Sequence, residues 1–184
     1  MTKRLAIAFF YDAAGIVDEY YIHLIEALKP YVDHTILVSN GPLSKNSENN
    51  IRPVVEDLIV RKNVGFDVWA YKSALEQFGW DRLKEYDEVI FYNHTFYGPI
   101  FPFSEMFSAM DKRNCDFWGI SAHRAISPNP FGDELGELPF HLNSHFIVVR
   151  REMHQSPAFK RYWTDMGRIE SYIDLDSSAR DAFH

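Results

Sequence analysis

The sequence has only one cysteine, Cys115, among its 184 residues. A single cysteine cannot form an intrachain disulfide and is typical of a protein from a reducing compartment. The chain also lacks a dense run of Lys and Arg, and its net charge is −7 at pH 7. Nucleic-acid-binding proteins and polybasic membrane anchors depend on clustered positive charge, so the composition argues against both classes.

Long hydrophobic runs are missing as well. The apolar run near the N-terminus, residues 5–11, is too short to span a membrane. Asp12 follows this run where a signal peptide would need a cleavage site flanked by small residues. We therefore expect a cytoplasmic protein.

The motifs of several common enzyme classes are also absent. The chain has no G-x-G-x-x-G segment, no Walker loop, no G-x-S-x-G segment and no paired C-x-x-C. These absences argue against a dinucleotide-dependent reductase, a P-loop protein, a serine hydrolase and a zinc ribbon.

The chain does contain enough apolar material for one α/β domain, residues 1–184, since 46% of it is hydrophobic and 16% is aromatic. Apolar runs that predict strands alternate with patterns at helical spacing. The predicted strands are residues 3–11, 34–39, 58–62, 88–92, 116–121 and 146–150. The predicted helices lie at residues 17–28, 66–78, 103–110 and from Ser156 onward, and the long predicted loops are 40–50 and 123–139. This alternation predicts a Rossmann-like fold with a mostly parallel sheet flanked by helices.

Two polar segments follow predicted strands, where open α/β sheets bind ligands. In the first, Asn63 and Asp67 can accept hydrogen bonds from a ribose or a base, and Gly65 permits close backbone approach or an unusual φ angle. The alternative is that Asn63 or Asp67 only caps the helix that follows.

The second segment is Asn93-His94-Thr95, followed by Tyr97. It offers an amide, an imidazole and a hydroxyl near the expected position of a diphosphate. Because Mg²⁺ prefers oxygen ligands and imidazole suits softer metals, the segment leaves the use of a metal open. The alternative is a polar turn held by local hydrogen bonds.

Two further groups of residues are candidates for chemistry. Asp133, Glu134 and Glu137 lie in the second long loop and could supply a catalytic base, or they could form a solvated acidic loop. Three histidines, His123, His141 and His145, could form a metal cluster, since His141 and His145 would lie on one face of a strand and His123 could approach from a neighbouring strand. Their spacing matches no zinc signature, which favours ordinary polar lining of a cleft.

These segments together resemble the rhamnan synthesis protein F family, over roughly residues 4 to 166. The matching motifs are N-x-G-x-D-x-x-A-Y at 63–71, Y-N-H-T-F-Y-G-P at 92–99, F-P-F-S-E-M-F at 101–107, D-F-W-G at 116–119 and S-H-F-I-V-V-R at 144–150. The resemblance implies a GT-A-like bacterial glycosyltransferase of rhamnan, cell-wall or O-antigen polysaccharide synthesis. Its implied donor is dTDP-L-rhamnose, and its implied acceptor is a lipid-linked glycan at the inner face of the plasma membrane. The resemblance also implies that other polysaccharide-synthesis proteins are partners and that the chain associates peripherally with the membrane.

The resemblance also implies a set of donor-binding residues. They are Asn63, Gly65, Asp67, Asn93, His94, Thr95, Tyr97 and His145. The first three would hold the nucleotide, the next three would lie near the diphosphate, and the tyrosine would contact the sugar. Family members usually carry Asn-Asp-Ser at 93–95, so this chain could hold Mg²⁺ or Mn²⁺ through Asn93 and His94 or could act without a metal. Members are often longer, and we expect this chain to be a fragment.

A rival interpretation is a catalytically inactive glycan- or nucleotide-binding domain of a polysaccharide assembly protein. The side chain of His94 distinguishes the two. If it faces a cleft together with Asn63 and Asp67, an active site is favoured. If it is buried against a helix, the inactive domain is favoured.

Overall fold

The structure is a computed structural model that describes residues 2–130, 136–167 and 169–170. Its centre is a six-stranded sheet, and a two-stranded sheet lies beside it. The strands are β1 (Arg4–Phe10), β2 (His34–Ser39), β3 (Asp57–Val60), β4 (Glu88–Asn93), β5 (Phe117–Gly119), β6 (Ala122–His123), β7 (His141–Leu142) and β8 (Phe146–Arg150).

The large sheet has the order β3-β2-β1-β4-β8-β5. Its first four strands are parallel, while β8 is antiparallel to both of its neighbours, β4 and β5. The predicted Rossmann-like, mostly parallel sheet is therefore confirmed.

Helices cover both faces of the large sheet. They are α1 (Glu19–Leu28), α2 (Lys45–Ile51), α3 (Phe66–Phe78), α4 (Trp80–Leu83), α5 (Phe103–Met110), α6 (Arg151–His154) and α7 (Pro157–Asp165), with a 3₁₀ turn at Lys29–Tyr31. Helices α3 and α7 share one hydrophobic core with the sheet, and α1, α2 and α5 share the other. Strand β1 is apolar along nearly its whole length because its alternating side chains enter these two cores. No described helix is long and apolar enough to cross a membrane.

The predicted loop at residues 40–50 is wrong in its second half, because helix α2 begins at Lys45. Ser44 caps this helix by accepting a hydrogen bond from the Ser47 amide at 3.2 Å. Ile51 at its end is completely buried. The many Asn and Ser residues suggested a loop, but the cap and the single buried apolar residue favour a helix. The predicted Ser156 cap of α7 is confirmed, with the Phe159 amide donating at 3.1 Å.

The second long loop is framed by pairing at its ends. Strands β6 and β7 pair antiparallel, and a bridge joins Ile126 to Leu138. Glu137 lies in this loop and is exposed. Asp133 and Glu134 fall outside the described residues, so their predicted role as a base stays a prediction.

Candidate functional site

A cleft of about 550 Å³ lies beyond the carboxyl ends of β1, β2 and β3. Three short segments line it, each of which begins at or just after one of these parallel strands. They are residues 11–13, 40–42 and 60–63. Since parallel strands bring their carboxyl ends to one edge, the fold itself forms this cleft. Tyr11 lies at its wall with 39% of its surface exposed.

Asn40 organises the floor of the cleft, and its side chain is completely buried. Its amide nitrogen donates to the Phe66 carbonyl at 3.0 Å and to the Asn63 side-chain oxygen at 3.3 Å. Its amide oxygen accepts from Arg61 at 2.7 Å. Arg61 also donates to the Val64 carbonyl at 3.0 Å. Asn40 thus holds the side chains of Asn63 and Arg61 at the cleft, and Arg61 contributes a positive charge there.

Gly65 shapes the turn that enters α3. Its φ is +73°, and the following Phe66 also has a positive φ of 54°. A Cβ atom at Gly65 would lie 2.3 Å from the ring of Trp69. The glycine therefore serves the left-handed turn and the packing of Trp69. Gly65 is also the N-cap residue of α3, so neither Asn63 nor Asp67 has the capping position that the alternative assigned to them.

Four side chains form a hydrogen-bonded cluster where β4, α3 and β8 meet. We call Asp67, Asn93, Thr95 and His145 the β4–β8 clasp. The Asn93 oxygen accepts from the Thr95 amide at 3.0 Å and from the Thr95 hydroxyl at 2.6 Å. The Asn93 nitrogen lies 3.4 Å from both the Asp67 carboxylate and the Ser144 carbonyl. The Thr95 hydroxyl lies 3.0 Å from Nδ1 of His145.

Asp67 is the charged member of the clasp. Burial raises the pKa of its carboxyl group, and hydrogen bonds from Asn93 and from the amides at the start of α3 act in the opposite direction. Asp67 follows the N-terminus of α3, where the helix dipole favours a negative charge. The helix and Asn93 together keep this carboxylate in place.

His94 packs into an aromatic cluster, within electrostatic range of Asp12 and Asp67. Its ring packs against Phe9, Phe10 and Tyr21, with ring centroids 5.8, 5.1 and 6.0 Å away. Its Nδ1 atom is buried and has no hydrogen-bond partner among the described residues. Burial lowers the pKa of this imidazole, which favours the neutral form. The observed position is against β1 and α1.

The residues predicted to hold a divalent metal do not fit that role. The Asn93 oxygen already accepts two hydrogen bonds, which uses both of its lone pairs. The Nδ1 atom of His94 is buried. Within the described ranges, no group of three or more His, Cys, Asp or Glu side chains could hold a metal ion.

Tyr97 stands at the edge of the site with 78% of its surface exposed. Its ring lies 5.7 Å from that of Tyr20, measured between centroids. The Tyr20 hydroxyl in turn donates to the His94 carbonyl at 2.6 Å. An exposed aromatic surface is thereby fixed directly after β4.

The three histidines do not form one group. His123 and His141 are opposite each other in the β6–β7 pair, and their rings stack with centroids 5.7 Å apart. His145 lies in the turn before β8 and contacts Thr95 instead. His141 and His145 are thus on separate elements, because the chain turns between β7 and β8.

Sequence reasoning missed Tyr11, Asn40, Arg61 and Lys62. Each lies at the end of β1, β2 or β3, where the rule that pointed to Asn63 and Asn93 also applies. The signal was therefore present, but single polar residues after short strands are easily assigned to loops.

Comparison with known proteins identifies the family. A family model described as rhamnan synthesis protein F matches residues 35–178. No curated protein matches the sequence.

Several solved structures are similar to this chain. A 4-diphosphocytidyl-2C-methyl-D-erythritol synthase has a TM-score of 0.56 at 12% identity, over 98% of this chain and 85% of that one. Core-mannan synthase A from Aspergillus fumigatus, in an Mn/GDP form, has a TM-score of 0.43 at 11% identity, over 97% and 65%. Glucosyl-3-phosphoglycerate synthase from Mycobacterium tuberculosis, in complex with UDP, has a TM-score of 0.41 at 13% identity, over 99% and 77%.

The first of these similarities shows a shared fold. The family model covers well over half of the residues, in the region that contains the clasp. The chain therefore belongs to the rhamnan synthesis protein F family, and this membership gives it a glycosyltransferase-like role in polysaccharide synthesis.

Proposed function

We propose that this domain transfers a sugar from a nucleoside diphosphate sugar to a growing polysaccharide. The proposed donor is dTDP-L-rhamnose, and the proposed acceptor is a lipid-linked glycan at the inner face of the plasma membrane. There the domain would act with other polysaccharide-synthesis proteins. The observation that carries the proposal is the cleft beyond β1, β2 and β3, at the same edge of the sheet as the β4–β8 clasp because β1 and β4 are parallel neighbours.

The wall of the cleft suits a nucleoside. Tyr11 offers a partly exposed ring on which a base can stack. Asn63 and Arg61 present hydrogen-bonding groups beside it, held in place by the buried Asn40. These groups can bind the edge of a base or the hydroxyls of a ribose.

Positive charge for the diphosphate is available on the same side. Arg61 and Lys62 line the cleft. Burial lowers the pKa of Arg61 somewhat, but an arginine keeps its charge at neutral pH. Asp12, the acidic residue of the lining, accepts hydrogen bonds from the amides of Ala14 and Ile16 at 2.9 Å each. These hydrogen bonds lower the pKa of Asp12 and hold its carboxylate against its own loop.

The sugar would lie beyond the diphosphate, between the clasp and Tyr97. The clasp supplies polar side chains fixed by their own hydrogen bonds, and Tyr97 supplies an exposed ring. Sites that hold a substrate in one orientation need such pre-organised groups. Glu137, Asp133 and Glu134 stay candidates for contacts on the acceptor side.

One observation favours the second candidate, an inactive glycan- or nucleotide-binding domain. His94 is packed against β1 and α1, and Asn93 has no free lone pair. An inactive domain would retain the cleft and bind a nucleotide without turning over a donor.

Calorimetry with dTDP, UDP and GDP tests the cleft directly. Loss of base stacking in Tyr11→Ala should weaken dTDP binding by about 1–3 kcal/mol, or roughly 5- to 150-fold. Phe117→Ala, at a residue of similar exposure (43%) on the edge strand β5, is the matched control and should leave binding unchanged. If none of the three nucleotides binds, the proposal is wrong. If dTDP binds and dTDP-L-rhamnose is never turned over, the inactive domain is the better description.

A further inference from the structure

We propose that His145 is the general base of the transfer reaction, with its Nε2 atom taking the proton from the acceptor hydroxyl. This inference rests on the proposed function and names a residue for its chemical step. It follows from the hydrogen-bond directions within the β4–β8 clasp, which fix the position of each proton.

The orientation of the Asn93 amide is the first step. The backbone N–H of Thr95 points at one end of this amide from 3.0 Å. An N–H can only donate, so the atom that it meets is the oxygen of Asn93. The amide nitrogen then faces the Asp67 carboxylate and the Ser144 carbonyl, which are both acceptors. The opposite orientation would place two donors against each other.

The Thr95 hydroxyl is the second step. It lies 2.6 Å from the Asn93 oxygen, which can only accept, so the single hydroxyl proton is donated there. The hydroxyl oxygen also lies 3.0 Å from Nδ1 of His145. With its proton already committed, the hydroxyl has only lone pairs to offer to this nitrogen. Nδ1 must therefore carry a proton and donate to Thr95.

The tautomer of His145 follows from this chain. A neutral imidazole with its proton on Nδ1 has its lone pair on Nε2. Nε2 makes no hydrogen bond with the described residues and is not enclosed by them. The backbone carbonyl of His145 accepts a hydrogen bond from the backbone N–H of Asn93 at 3.2 Å, which holds His145 against the end of β4. The ring that carries this lone pair is thus held beside Thr95 of the predicted donor segment.

The clasp also suits the charged form of His145. When Nε2 takes a proton, the ring becomes a cation that still donates through Nδ1 to Thr95. Behind Thr95 lie the Asn93 oxygen and then the Asp67 carboxylate, the only formal negative charge in the clasp. This chain of hydrogen bonds keeps the ring in one orientation.

The step balances without a further reactant. The acceptor oxygen forms a bond to the anomeric carbon of the donor sugar. The bond from that carbon to the diphosphate oxygen breaks, and the nucleoside diphosphate leaves with the electron pair. The acceptor proton moves to Nε2 of His145, which later releases it to solvent.

A measurement of the tautomer tests the geometry without any activity. Long-range ¹H–¹⁵N spectra of the ¹⁵N-labelled chain report which ring nitrogen carries the proton, and His145→Asn identifies the His145 signals by their loss. We expect the Nδ1–H form. In Thr95→Val, where the hydroxyl is absent, we expect a mixture of the two tautomers. A wild-type His145 with its lone pair on Nδ1 overturns the proposal.

Donor turnover tests the chemical role. The probe is dTDP-L-rhamnose with water as acceptor, followed by release of dTDP. In His145→Asn, the asparagine amide can still donate to Thr95 but offers no base at the position of Nε2. We expect its turnover to fall by about 100- to 10 000-fold with the affinity for dTDP unchanged. His23→Asn, at an exposed histidine of α1, is the matched control and should keep the wild-type rate.

The outcomes separate this inference from the proposed function. If His145→Asn turns over the donor at the wild-type rate, His145 is not the base, although the protein is still a transferase. If the wild-type protein binds no nucleotide, the proposed function itself is wrong, and the assignment of a base fails with it.

Discussion

The two ends of strand β4 are built from opposite chemistry. At the amino end, the buried carboxylate of Glu88 accepts from Arg4 at 2.6 Å and from Arg150 at 3.2 Å. At the carboxyl end, the Asn93 side chain contacts the neutral Thr95 and one carboxylate, that of Asp67, whose pKa is raised by burial. The Glu88 cluster joins β4 to β1 and β8. The contacts of Asn93 join β4 to helix α3 and to the turn before β8. Only the amino end makes its connections with fully paired charges.

The difference lies in how the two ends are held, by ion pairs at the amino end and by hydrogen bonds among mostly neutral groups at the carboxyl end. The amino end leaves no charge of the Glu88 cluster unpaired, since Arg4 also contacts Asp111 at 3.2 Å. The carboxyl end retains groups with unused capacity, namely Nδ1 of His94 and Nε2 of His145. A positive φ at Phe66 lies at the same end. Departures from full satisfaction and from relaxed backbone are expected at functional sites.

Breaking the amino end should give the largest loss of stability. Glu88→Gln removes the carboxylate, so the largely buried Arg150 loses its charged partner and the buried Arg4 keeps only the more exposed Asp111. We expect a loss of about 3–5 kcal/mol in the free energy of unfolding, measured by urea denaturation. At temperatures where the variant is folded, its affinity for dTDP should equal that of the wild type.

An exposed pair provides the control for this prediction. Lys3 and Glu85 are 3.2 Å apart, and 61% of the Glu85 side chain is exposed. Glu85→Gln should cost less than about 1 kcal/mol because solvent screens the pair. Equal losses in the two variants would show that burial of the Glu88 cluster does not matter.

Repairing the carboxyl end should give a smaller gain that depends on pH. His94→Phe keeps an aromatic ring against Phe9, Phe10 and Tyr21 and removes the unpaired Nδ1. The substitution also removes the hydrogen bond between the His94 ring and the Phe9 backbone, but the Phe9 carbonyl keeps the Tyr21 hydroxyl as its donor at 2.8 Å. We expect a gain of about 1 kcal/mol in the free energy of unfolding near pH 7.5.

The pH dependence follows from the lowered pKa of His94. Below about pH 6.5, the ordinary value for histidine, the unfolded chain binds a proton that folded His94 resists. The wild type therefore loses stability as the pH falls, and His94→Phe should lose less. His154, whose pKa is also lowered by burial, is present in both proteins and cancels in the difference. An advantage of the variant that stays constant between pH 7.5 and 5.5 would contradict this account.

The smallest effect is expected from a metal. Because the Asn93 oxygen already accepts two hydrogen bonds and Nδ1 of His94 is buried, the affinity for dTDP should change by less than about twofold between excess MnCl₂ and EDTA. Calorimetry measures this directly. An increase of about tenfold or more with Mn²⁺ would show that the carboxyl end rearranges to hold a metal.

Much of the fold could be predicted because it depends on local patterns. The bounds of β2, α5 and β8 follow from apolar runs and helical spacing. Helix α2 could not be predicted in this way, since it buries only Ser47 and Ile51 and has little apolar periodicity. The antiparallel direction of β8 was likewise out of reach, because strand direction depends on long-range pairing.

The site was predictable as a place but not as a set of contacts. The rule for strand ends pointed to Asn63, Asn93 and Thr95. It could not show that Asn93 joins Asp67 to Thr95, or that His94 turns away into aromatic rings. Both depend on side-chain directions that are set by packing between β1, α1 and α3.

Mapping dTDP on the ¹⁵N-labelled protein tests the central claim most directly, since it compares the two ends in one experiment. The account predicts chemical-shift changes at the amides of Tyr11, Gly41 and Arg61, which line the cleft. It predicts none at Arg4, Glu88 and Arg150. Shift changes confined to the Glu88 cluster, or no changes at saturating dTDP, would contradict a donor site at the carboxyl end of the sheet.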